Sequence, residues 1–376
     1  MKNTASEKKF LFISGSGDTF VWFRLDLMIA IQSMGYKIFA AAPYISDENL
    51  TILQKHDIEF INISLERKSL NPFNFFHAVF QLNKIINKLK PLVIFSYMHK
   101  SILATGLATI LQKDIEVYYM ITGLGHLFER NTLLMRIFQK LSLIFFSLSF
   151  QNAKGVFFQN EDDFEEFLKL KLVSPKKSYL VNGSGVNLNK FAICGLPSSP
   201  IFMTMGRLLE SKGMRDYAEA ASIVKKKFPE AKFFLYGYPD LHEDSIDEKE
   251  IVETWNERFG VEYMGFCNNP ARAIADSSIF VLLSYREGTP RSTLEAMAMG
   301  RPIITNDVPG CRETVVPGRN GFLVNAKDIE SAADAMIALC DPKLRNRMGQ
   351  ESFELAKEKY DVYKVNKSII ERLELD

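Results

Sequence analysis

The sequence predicts an α/β protein of two doubly wound domains, each a parallel sheet covered by helices on both faces. Three observations lead there. The chain has 376 residues, 47% of them hydrophobic, which is more than a single core organises and enough for two. Short apolar runs alternate with helical patterns through both halves, as strands buried on two faces do when helices connect them. The segment GLPSSP, Gly195 to Pro200, interrupts that alternation with glycine, serine and two prolines just before a new apolar run. The expected domains are therefore 1–195 and 196–376, the C-terminal helix being a candidate to cross back to the first.

In the first domain the predicted strands are KFLFIS (9–14), KIFAAA (37–42), PLVIFS (91–96), IEVYYM (115–120) and GVFFQ (155–159). RNTLLMRIFQKLSLIFFSLSF (130–150) is the most apolar helix candidate, with Arg130, Arg136 and Lys140 near its start. It reads either as a core helix on the first sheet or as a helix lying on a membrane surface. In the second domain the strands are IFMTMG (201–206), AKFFLYG (231–237), VEYMGF (261–266), SIFVLLS (278–284) and RPIIT (301–305). After the first of these, MRDYAEAASIVKKKF places Met214, Tyr217, Ala218, Ala221 and Val224 on one face of a helix. In EGTPRSTLEAMAMG, Thr289 is the expected N-cap, Pro290 the first helical residue and Gly300 the left-handed residue past the end.

Residues 1–195 carry 22 Lys and Arg against 16 acids, and the remainder 24 against 29. A basic first half is compatible with an anionic partner such as phospholipid or diphosphate, but no Lys/Arg run or aromatic-basic interleaving points to nucleic acid. Cys194, Cys267, Cys311 and Cys340 are scattered, so a reducing cytoplasm is expected. MKNTASEKKF is too polar for a signal peptide, and no run of 18 apolar residues exists to span a bilayer.

Two clusters carry chemistry. Glu287 follows SIFVLLS in a loop, and Glu295 lies in the second turn of the next helix, whose N-terminus between them favours a phosphate. A carboxylate accepts from two adjacent hydroxyls, so acids flanking a phosphate suit a ligand built as ribose, diphosphate, sugar. In TMGRLLESKGM a strand ends at Gly206 and is followed by the cations Arg207 and Lys212. Singly these are ordinary surface residues; at matching strand ends of one domain they point to one site. No Asp-x-Asp triplet or metal-ligand spacing occurs, so the cations and the helix N-terminus are expected to do a metal's work. SGSGDTF also invites a dinucleotide reading. Phe20 stands at its third glycine position, however, and no acid ends KIFAAAPY to hold a ribose.

EGTPRSTLEAMAMG resembles the E-x(7)-E signature of the retaining family-four glycosyltransferases of the GT-B fold, and GRLLESKG resembles their G-R-x(4)-K-G diphosphate site. VNGSGVNLNKF (181–191) and VPGCRETVVPGRNGFLV are similar to further stretches of that family, so the resemblance covers nearly the whole chain. It implies that Glu287 holds the donor sugar, Glu295 the ribose, and Arg207 with Lys212 the diphosphate. Gly206, Gly288, Thr289 and Arg291 fall in the same donor site. Gly17 of SGSGDTF resembles the glycine that lets donor phosphate approach the backbone, and His99 of SYMHKS the histidine at the reaction centre. Pro290 stands where the family has a second glycine, so one backbone donor is missing and Arg291 is expected to compensate. The resemblance further implies a UDP-sugar donor, no cofactor, no protein nucleophile, and retention with the leaving phosphate taking the acceptor's proton. The SLNPF, HKS and GLG segments most resemble bacterial enzymes adding an N-acetylhexosamine-type sugar to a polyprenyl-diphosphate-linked saccharide, at the inner face of the cytoplasmic membrane. Rival readings are a sugar-nucleotide epimerase of the same fold and a nucleotide-sugar-binding protein without catalysis. His126 is a candidate for the acceptor side; His56, His77 and His242 read as structural.

Overall fold

The computed structural model describes residues 7–65, 72–123, 133–240 and 244–375, apart from the side chains of 133–141. Arg130, Arg136, Lys140, His126 and His242 fall outside that description. The chain divides into two units, Met1–Ser184 with Asn366–Asp376, and Gly185–Val365.

The first unit is built on seven strands: β1 (Lys9–Ile13), β2 (Lys37–Ala42), β3 (Glu59–Asn62), β4 (Val93–Tyr97), β5 (Glu116–Ile121), β6 (Gly155–Phe158) and β7 (Ser178–Leu180). All pair in parallel, in the order β3-β2-β1-β4-β5-β6-β7. The connecting helices are α1 (Leu25–Gln32), α2 (Asp47–Lys55), α3 (Pro72–Leu89), α4 (His99–Thr109), α5 (Leu133–Gln151) and α6 (Glu161–Lys169). Right-handed crossovers put α1 and α2 on one face and α3 to α6 on the other. There Ala78, Leu82, Ile102, Phe146, Phe150 and Phe167 pack into one core with the sheet. Phe146 and Phe150 of the apolar 130–150 segment are thus core, while Ile144 is exposed. His56 caps the end of α2, and His77 stands exposed on α3. Strand order reverses between β1 and β4, which opens a crevice at their carboxyl ends.

The second unit has β8 (Ile201–Arg207), β9 (Lys232–Tyr238), β10 (Val261–Gly265), β11 (Ile279–Leu282), β12 (Ile303–Asn306) and β13 (Gly321–Val324), parallel in the order β10-β9-β8-β11-β12-β13. Its helices are α7 (Met214–Lys227), α8 (Glu248–Glu250), α9 (Asn256–Phe259), α10 (Pro270–Ala275), α11 (Arg291–Ala298), α12 (Ile329–Ala338), α13 (Pro342–Leu355) and α14 (Val362–Arg372), the last running on into the first unit's closing segment. The five residues expected on the core face of α7 are all buried. Here the order reverses between β8 and β11.

The boundary falls ten or so residues before the expected one, for a physical reason. GLPSSP has a linker's composition, but two buried arginines hold its carbonyls to the second unit. Arg301 donates to the carbonyls of Cys194 (3.0 Å), Gly195 (3.3 Å) and Ala275 (2.9 Å), and Arg345 to that of Ser198 (2.6 Å). The division instead lies beside Gly183 and Gly185, both at positive φ. At the other end the Tyr118 hydroxyl donates to the Leu373 carbonyl at 2.8 Å, tying the chain's last turn to the first sheet. No described helix is long and apolar enough to cross a membrane.

Candidate functional site

The reversal of strand order in the second unit brings both sequence clusters to one crevice. β8 ends at Arg207, and a single turn over Glu210–Lys212 leads to Gly213, which opens α7 at φ +66. A Cβ at Gly213 would collide with the Leu283 carbonyl just past β11, so the two strand ends meet there only because this residue is glycine. From the other side, the Tyr285 amide donates to the Ser211 carbonyl at 3.0 Å.

These close approaches bring cations and acids into pairs. Lys212 donates to Glu287, whose same oxygen accepts from the Ser284 hydroxyl at 2.8 Å; the Lys212 and Glu287 side chains are each 17% exposed. Arg207 donates to Asp240 at 2.7 Å, and Arg291 to Glu295 at 3.0 Å one helical turn away. Burial pushes the Glu295 carboxyl above its ordinary 4.5, with Arg291 and then Lys190 opposing. Three positive and three negative groups thus line the crevice in matched pairs. The arrangement can receive a polyanion on its cations if the carboxylates turn to accept hydroxyls instead.

The helix carrying Glu295 begins one residue later than expected. α11 runs from Arg291, with Pro290 as its N-cap at φ −69, ψ 114 and no side-chain cap. Thr289 therefore sits in the loop before the cap with Gly288. Proline at this position takes extended ψ and contributes its carbonyl, while the ring removes a donor that could not have pointed into the helix. Gly300 ends the helix at φ +81, as expected. Arg291, expected to make good the missing donor, is engaged by Glu295.

Three contributors escaped the sequence. Asp240 lies past the end of β9, beside Arg207; its place at a strand's carboxyl end was the available signal. Ser284, the last residue of SIFVLLS, lies two residues past the end of β11. Gly310, at φ +82, passes so close to the backbone of Glu287 and Gly288 that a Cβ would collide with it, and the Glu287 amide donates to the Pro309 carbonyl at 3.0 Å. The 309–310 segment thus props up the loop that carries Glu287.

In the first unit the same topology gathers the remaining candidates. His99 opens α4 at the carboxyl end of β4, preceded by Met98 at φ +69, ψ 139, a conformation costly for a residue with a side chain. The Ser14 hydroxyl donates to the Met98 sulfur at 3.4 Å and lies 2.8 Å from the Thr19 hydroxyl, which in turn is 3.0 Å from that of Tyr97. This hydroxyl chain links the ends of β1 and β4 across the reversal. Burial raises the Tyr97 hydroxyl to about 12, so it stays protonated. The His99 ring stands edge-on to Phe146, centroids 5.9 Å apart. Gly17 is required by packing alone: a Cβ there would strike the Tyr44 carbonyl and the Ile45 side chain, and its amide donates to Tyr44 at 2.6 Å.

Comparison with known proteins now bears on this geometry. Residues 199–341 match the family model described as glycosyl transferases group 1, and residues 9–160 the model described as glycosyl transferase 4-like. The chain is 27% identical over 356 residues, 91% of its own length and 92% of the relative's, to N,N'-diacetylbacillosaminyl-diphospho-undecaprenol alpha-1,3-N-acetylgalactosaminyltransferase of Campylobacter jejuni. Over 205 residues, about half of each chain, it is 29% identical to the Escherichia coli UDP-Gal:alpha-D-GlcNAc-diphosphoundecaprenol alpha-1,3-galactosyltransferase. Among solved structures, sucrose-phosphate synthase from Thermosynechococcus elongatus superposes with a TM-score of 0.79 at 19% identity, covering 97% of this chain and 98% of that one. Anabaena HepE in complex with UDP and glucose also gives 0.79, at 17% identity over 98% and 99%.

Proposed function

Since the chain belongs to the group 1 glycosyltransferases and has the GT-B fold, we propose that it moves a sugar, an N-acetylhexosamine, from a UDP-sugar to a polyprenyl-diphosphate-linked saccharide, with retention and without a metal ion. The observation that carries this reading is the meeting of Arg207, Lys212, Glu287 and Glu295 at the strand reversal of the second unit.

In this reading the second unit holds the donor. Arg207 and Lys212 face the diphosphate, Glu295 accepts the ribose hydroxyls, and Glu287, propped by the 309–310 segment, accepts those of the sugar. Gly206, Gly288, Thr289 and Arg291 line the same site. As the bond from C1 to the diphosphate oxygen breaks, its electron pair stays on that oxygen and the two cations stabilise the growing charge. The acceptor hydroxyl forms the new bond to C1 on the face the diphosphate leaves, and its proton passes to a leaving phosphate oxygen, so no protein nucleophile enters. The first unit provides the acceptor side, with His99 acting at the reaction centre and Gly17 letting the donor phosphate approach the backbone. The activities of the Campylobacter and Escherichia relatives, both acting on undecaprenyl-diphosphate-linked sugars, support the acceptor class; a place at the inner face of the cytoplasmic membrane belongs to the same proposal.

Incubation of the purified protein with UDP-hexoses and an undecaprenyl-diphosphate-linked saccharide, with and without EDTA, tests the proposal. Transfer unaffected by EDTA, with the donor's anomeric configuration kept in the product by NMR, is the expected result. A strict need for Mg²⁺ or Mn²⁺ removes the metal-free mechanism. Epimerised UDP-sugar without transfer, or binding alone, overturns the transferase reading.

A further inference from the structure

We propose that the N-terminus of α4 is a second oxyanion site, one that takes a phosphate group on the first unit. The helix has 11 residues and opens without a cap, since Met98 at the N-cap makes no side-chain hydrogen bond to it. The first amide to bond back is that of Ile102, to the Met98 carbonyl at 3.0 Å. Ser101 stands one residue earlier, so the helix supplies its amide with no acceptor. Its hydroxyl is in the same position for a different reason. The side chain is fully buried, and its oxygen has no hydrogen-bond partner among the described residues. A buried hydroxyl ordinarily finds one, and a helical serine has the carbonyl four residues back within reach. Here it faces Gly15, in the loop after β1. A Cβ built on that glycine would stand 3.6 Å from the Ser101 oxygen and 3.6 Å from both the sulfur and the methyl carbon of Met98. The glycine thus leaves space against an unused donor, at the positive end of a helix.

Charge selects the ligand. An oxyanion accepts from hydroxyl and amide alike, and the helix end favours its charge. The first turn of α4 contains no acid, and Lys100 adds a positive charge to it. The second unit repeats the arrangement. Thr293, like Ser101 the third residue of its helix, is fully buried, with a hydroxyl that has no partner among the described residues. Its helix, α11, follows a strand at the reversal of its own sheet, as α4 does, and opens at the proposed diphosphate site. Two sources supply a phosphate for α4, a diphosphate-linked acceptor and the nucleotide, and the test separates them. Binding is measured without sugar transfer, so the site stands or falls apart from the transfer reading.

The test is calorimetric titration of the full chain with inorganic pyrophosphate and with UDP. The double change Arg207→Ala, Lys212→Ala removes the cations of the second unit, and this variant is expected to keep a pyrophosphate site. Adding Ser101→Ala should weaken that site roughly tenfold to a hundredfold, the loss of one hydrogen bond to a charged group. Because the hydroxyl lacks a partner in the free protein, Ser101→Ala should melt no lower than its parent. Gly15→Ala gives an independent reading: its methyl fits the free protein at ordinary contact distances but fills the space before the hydroxyl, so it too should weaken pyrophosphate while melting stays native. In the otherwise unaltered chain, Ser101→Ala with unchanged UDP affinity assigns the site to a diphosphate-linked acceptor, and a parallel fall in UDP affinity assigns it to the nucleotide. Loss of all pyrophosphate binding once Arg207 and Lys212 are gone, or undiminished binding after Ser101→Ala or Gly15→Ala, overturns the proposal.

Discussion

If the second unit holds the donor as proposed, replacing Glu287 by alanine should weaken a UDP-sugar without weakening UDP. In the structure Glu287 is the counter-ion of Lys212, and with both side chains 17% exposed the pair is largely out of water. Removing one member of a fully buried pair costs roughly 3–5 kcal/mol; partial solvent access lowers this to about 2–3 kcal/mol here. For a domain of this size that is a fall in melting temperature of about 4–12 °C. A bound diphosphate returns negative charge to Lys212, so saturating UDP should restore part of the loss and raise the variant's melting point by more than the wild type's. Free of its internal partner, Lys212 should bind UDP as well as before or better. The sugar, in contrast, loses a charge-assisted hydrogen bond worth about 1.5–3 kcal/mol, roughly tenfold to a hundredfold in affinity. The ratio of UDP-sugar to UDP affinity, from calorimetric titration of both proteins, cancels the shared gain at Lys212 and isolates the sugar contact. If UDP weakens as much as the sugar donor, or the stability gap stays open under UDP, Glu287 shapes the loop and does not read the ligand.

Two further outcomes follow from the same pairs. Arg207→Ala and Lys212→Ala should each lower kcat by about 10²- to 10³-fold, whereas Asp240→Asn, which leaves Arg207 in place but loosens its hold, should lower it far less; steady-state kinetics on the three variants checks the order. Glu295, raised by burial, binds its proton more tightly folded than unfolded, so its contribution to stability is fully present below 4.5 and is lost as pH rises from there through the folded value. Denaturant melts over that range should show this contribution declining in the wild type and a flatter curve in Glu295→Gln, while UDP affinity in the wild type should weaken as pH falls and the carboxylate proposed to accept the ribose protonates.

How much of this was legible depended on where a residue's partners lie along the chain. The central strands of both sheets announced themselves because they are apolar on both faces. β3, by contrast, is EFIN with both ends exposed, and β7 has three residues, so neither makes a run that stands out from a loop. The glutamates and cations could be found because the strand ends that carry them are marked by their own short motifs. Their neutralisation could not: Asp240 is 33 residues from Arg207, and only the adjacency of β8 and β9 brings it there. The start of α11 was ambiguous by one residue, because a proline's φ suits both the cap and the first turn.

The two buried arginines behind GLPSSP decide where the second unit can be cut free. A chain begun at residue 196 discards the Cys194 and Gly195 carbonyls, leaving Arg301, fully buried and with its cationic charge already disfavoured by burial, short of two of its acceptors. A chain begun at Gly185 keeps both, and with them the ladder contact between Val186 and Asp361. The composition that advertises a linker is therefore the wrong place to divide this protein, and an excised second unit keeps its buried arginine satisfied only with the residues upstream that look like part of its neighbour.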